Sequence, residues 1–343
     1  MAHPQTAYPT WRGTTPSEPD LTAHLDRLRV GERAVVRWRL EVGEPMLTDS
    51  VGTVLAVSDT SVSVLTRRGR VDIETSRVVA AKPLPAAPHR RGAAHLALSV
   101  GVLQELMVTG MPPLDSQWQG RWLLRASAGY TGRANSVLPL GSSDLPDPLP
   151  HVTSWYADRG LPPLVQLFGP SGFDPAVDDS LGALLVARGW RVFQRTLVMT
   201  APVPLSQRPP SVAVLETSDE RWWAASSPRE VQHRRVATRI NDLVPASAFP
   251  LALERERPTG VARLAFAHGW MGVFSVHVPP DQRRGGIGRS LMQAAFAEAA
   301  DRGVSLSYLQ VSADNVAAVR LYESLGYARH HEYYYLRPTD QLR

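Results

Sequence analysis

The sequence predicts an α/β protein built on a mixed central sheet flanked by helices, preceded by a small all-β module. Three observations predict it. Between Val30 and Ala81, short near-alternating apolar segments are separated by Gly, Asp and Ser turns. From residue 92 onward, strand-length apolar runs alternate with segments whose apolar residues recur at helical spacing. One of the strand-to-helix turns, Val278-Pro-Pro-Asp-Gln-Arg-Arg-Gly-Gly-Ile-Gly288, is dense in glycine and arginine.

Composition bounds the chemistry. At 343 residues there is room for two or three domains, and the absence of cysteine removes disulfides, thiolate metal sites and a cysteine nucleophile. The 10 histidines show no metal-ligand spacing. His330 and His331 are adjacent and are expected to face opposite ways on a strand. No metal is expected. The start of the chain lacks a charged-then-apolar leader pattern and no apolar run reaches membrane-spanning length, so a cytoplasmic location without membrane contact is the expectation. Basic residues exceed acidic ones by 5, but the arginines are scattered through all regions, which argues against a nucleic-acid surface.

In chain order, residues 1–25 are Pro/Thr/Ser-rich and read as a flexible tail. Residues 26–86 carry the strands Arg33–Leu40, Gly52–Ser58, Ser61–Thr66, Arg70–Glu74 and Arg77–Ala81, a set that suggests a small barrel. Lys82–His89 reads as a proline-rich linker. In residues 92–203, a helix with Leu96, Val100, Leu103 and Met107 on one face stops at Gly110 and Pro112. Strands at Trp122–Ala126 and Ser136–Leu140 flank the turn-rich Gly129–Asn135, which reads either as a packed turn or as part of an acceptor pocket. A helix over Val152–Arg159, a strand over Leu164–Phe168, a helix over Asp179–Arg188 closed by Gly189-Trp190, and a strand over Phe193–Met199 follow. That order echoes residues 273–336.

Residues 211–338 form the last region. Ser211–Leu215 reads as a strand, Ser218–Ser226 as a capped helix with Trp222 and Trp223, and 229–242 as polar and helical. Strands over Pro250–Glu256 and Val261–Ala267 are joined by a turn at Arg257-Pro-Thr-Gly260. Met271–Val278 is an apolar strand that Pro279-Pro280 stops. Leu291, Met292, Ala295, Phe296 and Ala299 then mark a helix ending near Gly303. The Arg/Gly stretch therefore opens a helix, where unpaired N–H groups and the helix dipole favour an anion. Gly285, Gly286 and Gly288 allow close backbone approach, Arg283, Arg284 and Arg289 add charge, and the combination suits a pyrophosphate. No Gly-Lys-Ser/Thr and no ribose-binding acid accompany it, so neither a P-loop nor a dinucleotide fold fits. After the strand Leu306–Val311, Ala318, Leu321, Tyr322 and Leu325 form a helix face closed by Gly326. Asn315 and Tyr322 lie about two turns apart on one side of it. Glu332–Leu336 is the last strand.

Val278–Gly288 matches V-x-P-x-x-[RQ]-x-x-G-x-G, and Asn315–Tyr327 matches N-x-x-A-x-x-L-Y-x-x-x-G-[FY]. With these two motifs the chain resembles the GNAT superfamily of acetyl-CoA-dependent N-acetyltransferases. The resemblance implies a catalytic GNAT domain over 211–338 and a degenerate GNAT-like half over 92–203, with an unrelated α/β insertion as the other reading of that half. The strand layout of 26–86 resembles the SH3-like barrels found ahead of some bacterial members, either a structural module or a docking one. The tandem layout is also similar to mycothiol synthase, which lacks the barrel.

By the same resemblance, the segment 229–242 walls the acceptor site and acetyl-CoA is the co-substrate. The backbone of Val276, His277 and Val278 pairs with its pantetheine arm. Arg283, Arg284, Gly285, Gly286, Ile287 and Gly288 hold the pyrophosphate, Asn315 steadies the arm, and Tyr322 gives a proton to the departing thiolate. The positions that often carry a glutamate base align with Gly272 and Gln310. His277, His268, Glu254 and Glu256 are the remaining candidates, and solvent is a further one. Two functions follow: N-acetyl transfer to a primary amine of a small molecule or protein, or an acetyl-CoA-binding regulator whose barrel docks a partner. The acceptor, the base, the barrel's role and the oligomeric state are not written in the sequence.

Overall fold

The computed structural model describes residues 25, 28–40, 47–66, 69–84 and 98–339. Apart from Leu25, the tail expected over 1–25 lies outside the described residues, as does the linker beyond Leu84. The described chain forms two compact units that divide near residue 86.

The first unit is a five-stranded sheet in the order β4-β3-β2-β1-β5. Its strands are β1 (Arg33–Arg39), β2 (Leu47–Val57), β3 (Ser61–Thr66), β4 (Gly69–Glu74) and β5 (Val78–Pro83). Lys82 and Pro83, read from sequence as linker, extend β5, which pairs antiparallel with β1. Alternation puts Ala34, Val36, Val54, Val62, Ile73 and Val78 inside.

The second unit holds α1 (Val100–Gly110), β6 (Asp115–Gln119), β7 (Trp122–Ala126), β8 (Leu138–Pro139), α2 (Leu149–Ala157), β9 (Val165–Gly169), α3 (Ser180–Ala187) and β10 (Trp190–Pro202). It continues with β11 (Val212–Leu215), α4 (Glu220–Ala224), α5 (Pro228–Gln232), α6 (Arg234–Asp242), β12 (Ser247–Glu254), β13 (Arg257–Ala267) and β14 (Trp270–His277). Helix α7 (Ile287–Asp301), β15 (Leu306–Ser312), α8 (Val316–Ser324) and β16 (Ala328–Pro338) complete it.

An eight-stranded sheet runs β11-β12-β13-β14-β15-β10-β16-β9, with β6-β7-β8 a separate small sheet. The halves seen in the sequence trade their last strands. β10 closes the first half in sequence but pairs with β15, while β16 closes the second and pairs with β9. The two exchanged strands also pair with each other. Each half keeps one parallel contact, β14 with β15 over four residue pairs and Val137 with Val165 as a single bridge. Neither half completes its sheet alone, so the boundary between 203 and 211 runs through a continuous ladder.

The core beneath the second half gathers Met199, Leu264, Met271, Met292, Phe296, Leu309, Tyr322 and Tyr327. Fully burying a side chain such as Met292 or Phe296 contributes roughly 1.5–3 kcal/mol.

Three local readings are corrected. The β12–β13 turn falls at Arg255-Glu256, whose φ of 47° and 67° are both left-handed, and Pro258-Thr-Gly260 lies within β13. Gly260 is needed because a Cβ there would lie 2.8 Å from Ile287 Cγ2, where α7 crosses the strand. His330 and His331 do not face apart: a register shift between Met199↔Arg329 and Val198↔His331 leaves His330 bulged, and the two Nδ1 atoms lie 2.7 Å apart. Strand β6 was invisible because its exposed Asp-Ser-Gln-Trp run has no apolar alternation. No helix among the described residues is long and apolar enough to cross a membrane.

Candidate functional site

The parallel pairing of β14 and β15 ends at Val273↔Leu309, and the strands diverge beyond it. A bulge marks the divergence. Val261 pairs with His277 and Arg263 with Phe274, so Ser275 and Val276 together oppose Ala262. Ser275 takes a left-handed φ of 53°, which turns the following backbone away from the ladder. The side chains of Val276, Val278 and Ile287 pack around Val212, Ala252, Leu291 and Ala294. What these three offer a ligand is therefore backbone.

The glycine turn opens α7 directly. Arg284 and Gly286 are both left-handed, at 71° and 81°, with Gly285 between them. Gly286 is the N-cap and brings no side-chain cap hydrogen bond. Alternating handedness and a free helix start make a nest of N–H donors for an anion. Arg283 Nε donates to the Val278 carbonyl at 3.0 Å, tying the turn to the strand end, while Arg289 Nη2 donates to Ser324 Oγ at 2.8 Å and ties α7 to α8. Gly288 is close to α8: a Cβ would sit 3.2 Å from Leu321 Cδ2.

Asn315 is the N-cap of α8, its Oδ1 accepting from Ala318 N at 3.2 Å, which occupies the oxygen and leaves Nδ2 without a partner among the described residues. Tyr322 is 7% exposed, and burial pushes its phenol up to about 12, with the Arg133 charge opposing the rise. Its ring packs edge-on against Tyr327, and its hydroxyl makes no hydrogen bond among the described residues. The structure thus puts Val276–Val278 and the 283–288 turn just beyond the end of the parallel pairing, ties α7 to α8 through Arg289 and Ser324, sets Asn315 at the start of α8 and packs Tyr322 in the core cluster.

The usual base positions are closed for physical reasons. A Cβ on Gly272 would lie 2.5 Å from the Tyr308 ring and hydroxyl, so no side chain fits there. Gln310 is committed, its Oε1 accepting from Tyr333 OH at 3.0 Å. His268 occupies the β13–β14 turn, at the opposite end of that ladder from His277. Glu254 and Glu256 are exposed around the β12–β13 turn. His277 remains at the site, half-buried, with its pKa lowered by desolvation.

Two family models match this chain. One, described as "Probable histone acetyltransferase Rv0428c C-terminal", spans residues 100–336, and the other, "Rv0428c N-terminal Sm-like domain", spans 28–82. The chain belongs to the Rv0428c family of GNAT N-acetyltransferases. The relative "Probable histone acetyltransferase Rv0428c" of Mycobacterium tuberculosis is 30% identical over 315 residues, 90% of this chain and 95% of that protein. "Uncharacterized N-acetyltransferase YobR" of Bacillus subtilis is 26% identical over 248 residues, 68% of this chain and 96% of that protein. A solved GCN5-related N-acetyltransferase from Kribbella flavida shares the fold over 71% of this chain and 97% of its own, with a TM-score of 0.51 at 17% identity. The barrel expected as SH3-like is matched as Sm-like.

This family member carries a cluster beside the bulge that sequence reasoning did not assemble. Glu230 on α5, Arg263 on β13, Tyr130 and Ser275 line one cavity of about 10 Å³, enough for one water. Arg263 is 2% exposed; its Nη2 donates to the Gly110 carbonyl at 2.8 Å and its guanidinium stacks on Phe274 at 4.2 Å. Nη1 has no hydrogen-bond partner among the described residues, and burial lowers this arginine's pKa to about 10. Burial likewise raises the Tyr130 phenol. The Gly129–Asn135 turn that carries Tyr130 is knitted by Asn135 Oδ1, which accepts from Ser127 N and Gly129 N at 2.6 and 2.9 Å. Arg229 Nη2 docks α5 onto it through the Tyr130 carbonyl at 2.8 Å. Among the described residues no group of three or more acidic or histidine side chains is placed to hold a metal.

Proposed function

We propose that this acyltransferase moves the acetyl group of acetyl-CoA to a primary amine, on a small molecule or a protein, by direct attack on the thioester. One observation carries the reading: the uncapped start of α7, reached through two left-handed residues, stands at the mouth of two diverging parallel strands. An extended amide arm ending in a pyrophosphate fits that combination, the arm along the β14 backbone and the anion on the turn.

In this reading Val276–Val278 pair with the pantetheine arm, and an N–H of the same stretch polarises the thioester carbonyl. Arg283–Gly288 hold the pyrophosphate and Asn315 steadies the arm through Nδ2. The amine nitrogen forms a bond to the carbonyl carbon, the C–S bond breaks with its electron pair going to sulfur, and Tyr322 protonates that sulfur. The proton lost by nitrogen restores the phenol through solvent. A phenol held near 12 is fully protonated at neutral pH, the form this step requires. The positive charge of Arg133 limits the cost of the transient phenolate.

Residues 211–338 are then the catalytic domain, 92–203 its degenerate partner and 26–86 an accessory β module, in a cytoplasmic protein. Because one relative is named a probable histone acetyltransferase, a lysine side chain of a basic protein is among the acceptors to be tried.

Calorimetric titration with acetyl-CoA tests the reading. Micromolar binding, corresponding to roughly −8 kcal/mol, is expected for wild type. Gly286→Glu, which forces a side chain onto a left-handed residue and sets a carboxylate against the phosphates, should abolish it. Equal binding by both proteins contradicts the site.

A further inference from the structure

A helix that is apolar on every side belongs in a core, yet α3 lies at the surface. Its sequence, Ser180-Leu-Gly-Ala-Leu-Leu-Val-Ala187, contains no charged residue. Gly182 and Leu185 are buried, and a Cβ on Gly182 would run into the Pro175 carbonyl. Ala183, Leu184, Val186 and Ala187 are exposed, Leu184 and Val186 at 41% and 40%, and Val177 on the approach to the helix is 77% exposed. Their three- and four-residue spacings make the helical four neighbours on one surface.

The fold does not require this. Helix α8 holds the same place in the second half, and its exposed residues include Arg320, Glu323 and Ser324. Glu323 pairs with Arg329 at 3.0 Å, and Ser324 accepts from Arg289. One helix presents charge to water and the other presents an apolar face, and such a face marks an interface.

The charges at the two ends of α3 say what covers it. Before its start stand Asp174, Asp178 and Asp179, whose carboxylates accept from backbone N–H groups and form no ion pair among the described residues. At its end Arg188 holds Asp147 through Nη1 at 3.1 Å, while its Nε and Nη2 have no hydrogen-bond partner among the described residues. A surface that is apolar in the middle, acidic at one end and cationic at the other is complementary to its own reverse. Two copies laid antiparallel across a twofold axis close their apolar faces on each other and oppose their helix dipoles. Each Arg188 then meets the other copy's carboxylates. Those same carboxylates turn away an anionic bilayer.

We propose that α3 is the contact of a homodimer, in which a second copy of this chain packs antiparallel on the same helix. A helix of 8 residues is roughly 12 Å long, so the contact falls at the small end of protein interfaces and the dimer is weak and reversible. It gives the first half a role besides completing the sheet, and it does not depend on the acetyltransferase reading.

The test is analytical ultracentrifugation of the full chain over a concentration series reaching about 300 µM. Wild type should pass from monomer to dimer as concentration rises, with a micromolar dissociation constant. Leu184→Glu and, separately, Ala187→Arg should stay monomeric throughout; both positions are exposed, and whichever variant keeps the wild-type melting profile carries the test. Arg188→Glu alone and Asp178→Arg alone should each weaken the dimer roughly tenfold, because every reversal enters a twofold interface twice. An equimolar mixture of those two variants should dimerise as wild type does, since each mixed pair restores one native and one reversed ion pair. A wild type that is monomeric throughout overturns the proposal, even if another protein binds the helix. A dimer that survives Leu184→Glu or Ala187→Arg in folded protein lies on another surface and overturns it too. A mixture no tighter than its components overturns the antiparallel pairing.

Discussion

The two halves of the second unit share an order of elements and differ in what stands at the open end of their parallel strands. In the second half, the stretch after β14 is a left-handed glycine turn that leaves the start of α7 uncapped. In the first half, the stretch from β8 to α2 contains Asp144 and Asp147, Leu149 N donates to Asp147 Oδ1 at 3.4 Å, and Pro150 has no N–H to give. An anion finds donors at one helix start and carboxylates at the other. The surroundings of the parallel contact also differ. In the first half, Arg125 of β7 is buried beside it, its Nη2 reaching Ser136 Oγ at 2.7 Å and Gln166 Oε1 at 3.0 Å. Tyr322 has no counterpart either: the same offset from the Asp179 cap reaches Val186, and the same offset from Gly189 reaches Leu185. The comparison teaches that the strand–helix order sets up a scaffold, and that a bulge, a glycine turn and one buried phenol distinguish the half in which the proposed site lies.

The largest expected effect falls on the second half. Tyr322→Phe should lower kcat by roughly 10²–10⁴-fold with acetyl-CoA affinity unchanged, measured by thiol release and calorimetry. A fall of less than threefold would return Tyr322 to the core it packs in.

Restoring the residue type common at a base position should fail. Gly272→Ala already drives a Cβ into the Tyr308 ring and should cost about 1–3 kcal/mol, read as a lower denaturation midpoint. Gly272→Glu should be worse, and a stable, more active Gly272→Glu would contradict the packing argument.

In the first half, Arg125→Met strands the acceptors on Ser136 and Gln166 inside the protein, at a cost of about 1–3 kcal/mol. Stability should drop while acetyl-CoA affinity holds, because the proposed binding site lies in the second half. A parallel loss of affinity would show that the halves are not separable in function.

The smallest effect is a slope. Burial drives the His331 imidazole down to about 3 from 6.5, beside His330 and with Nε2 2.8 Å from Gln104 Nε2. A base held neutral in the fold and protonated when unfolded contributes stability that is present above pH 6.5. That contribution is lost progressively as pH falls from about 6.5 toward 3. His268 and His277, also lowered by burial, tilt the curve the same way. Urea midpoints between pH 7 and 5 should therefore decline, and His331→Asn should flatten the decline without removing it.

Much of this was legible in the residues. The Val278–Gly288 turn could be read because glycine and proline act locally, and the Asn315–Tyr327 helix because its spacing shows on one face. The exchange of β10 and β16 was not, since register between distant strands depends on packing that no local pattern encodes. The Arg255-Glu256 turn hid behind a stronger-looking Pro-Thr-Gly signal two residues on. The segment 229–242 that holds Glu230 could be singled out by resemblance, but its neighbour Arg263 escaped for a related reason: it sits between apolar strand residues, and only the fold brings the two together. Gly272 shows the converse, a departure from the family pattern whose cause, the Tyr308 ring, lies thirty-six residues away.

The central claim is that acetyl-CoA lies along the backbone of Val276–Val278 and on the 283–288 turn, and not at the equivalent place in the first half. Amide hydrogen exchange with and without acetyl-CoA tests it directly. The account predicts slowed exchange across 276–289 and none across 138–150. Protection of 138–150, or an unchanged 276–289 under saturating ligand, would contradict it.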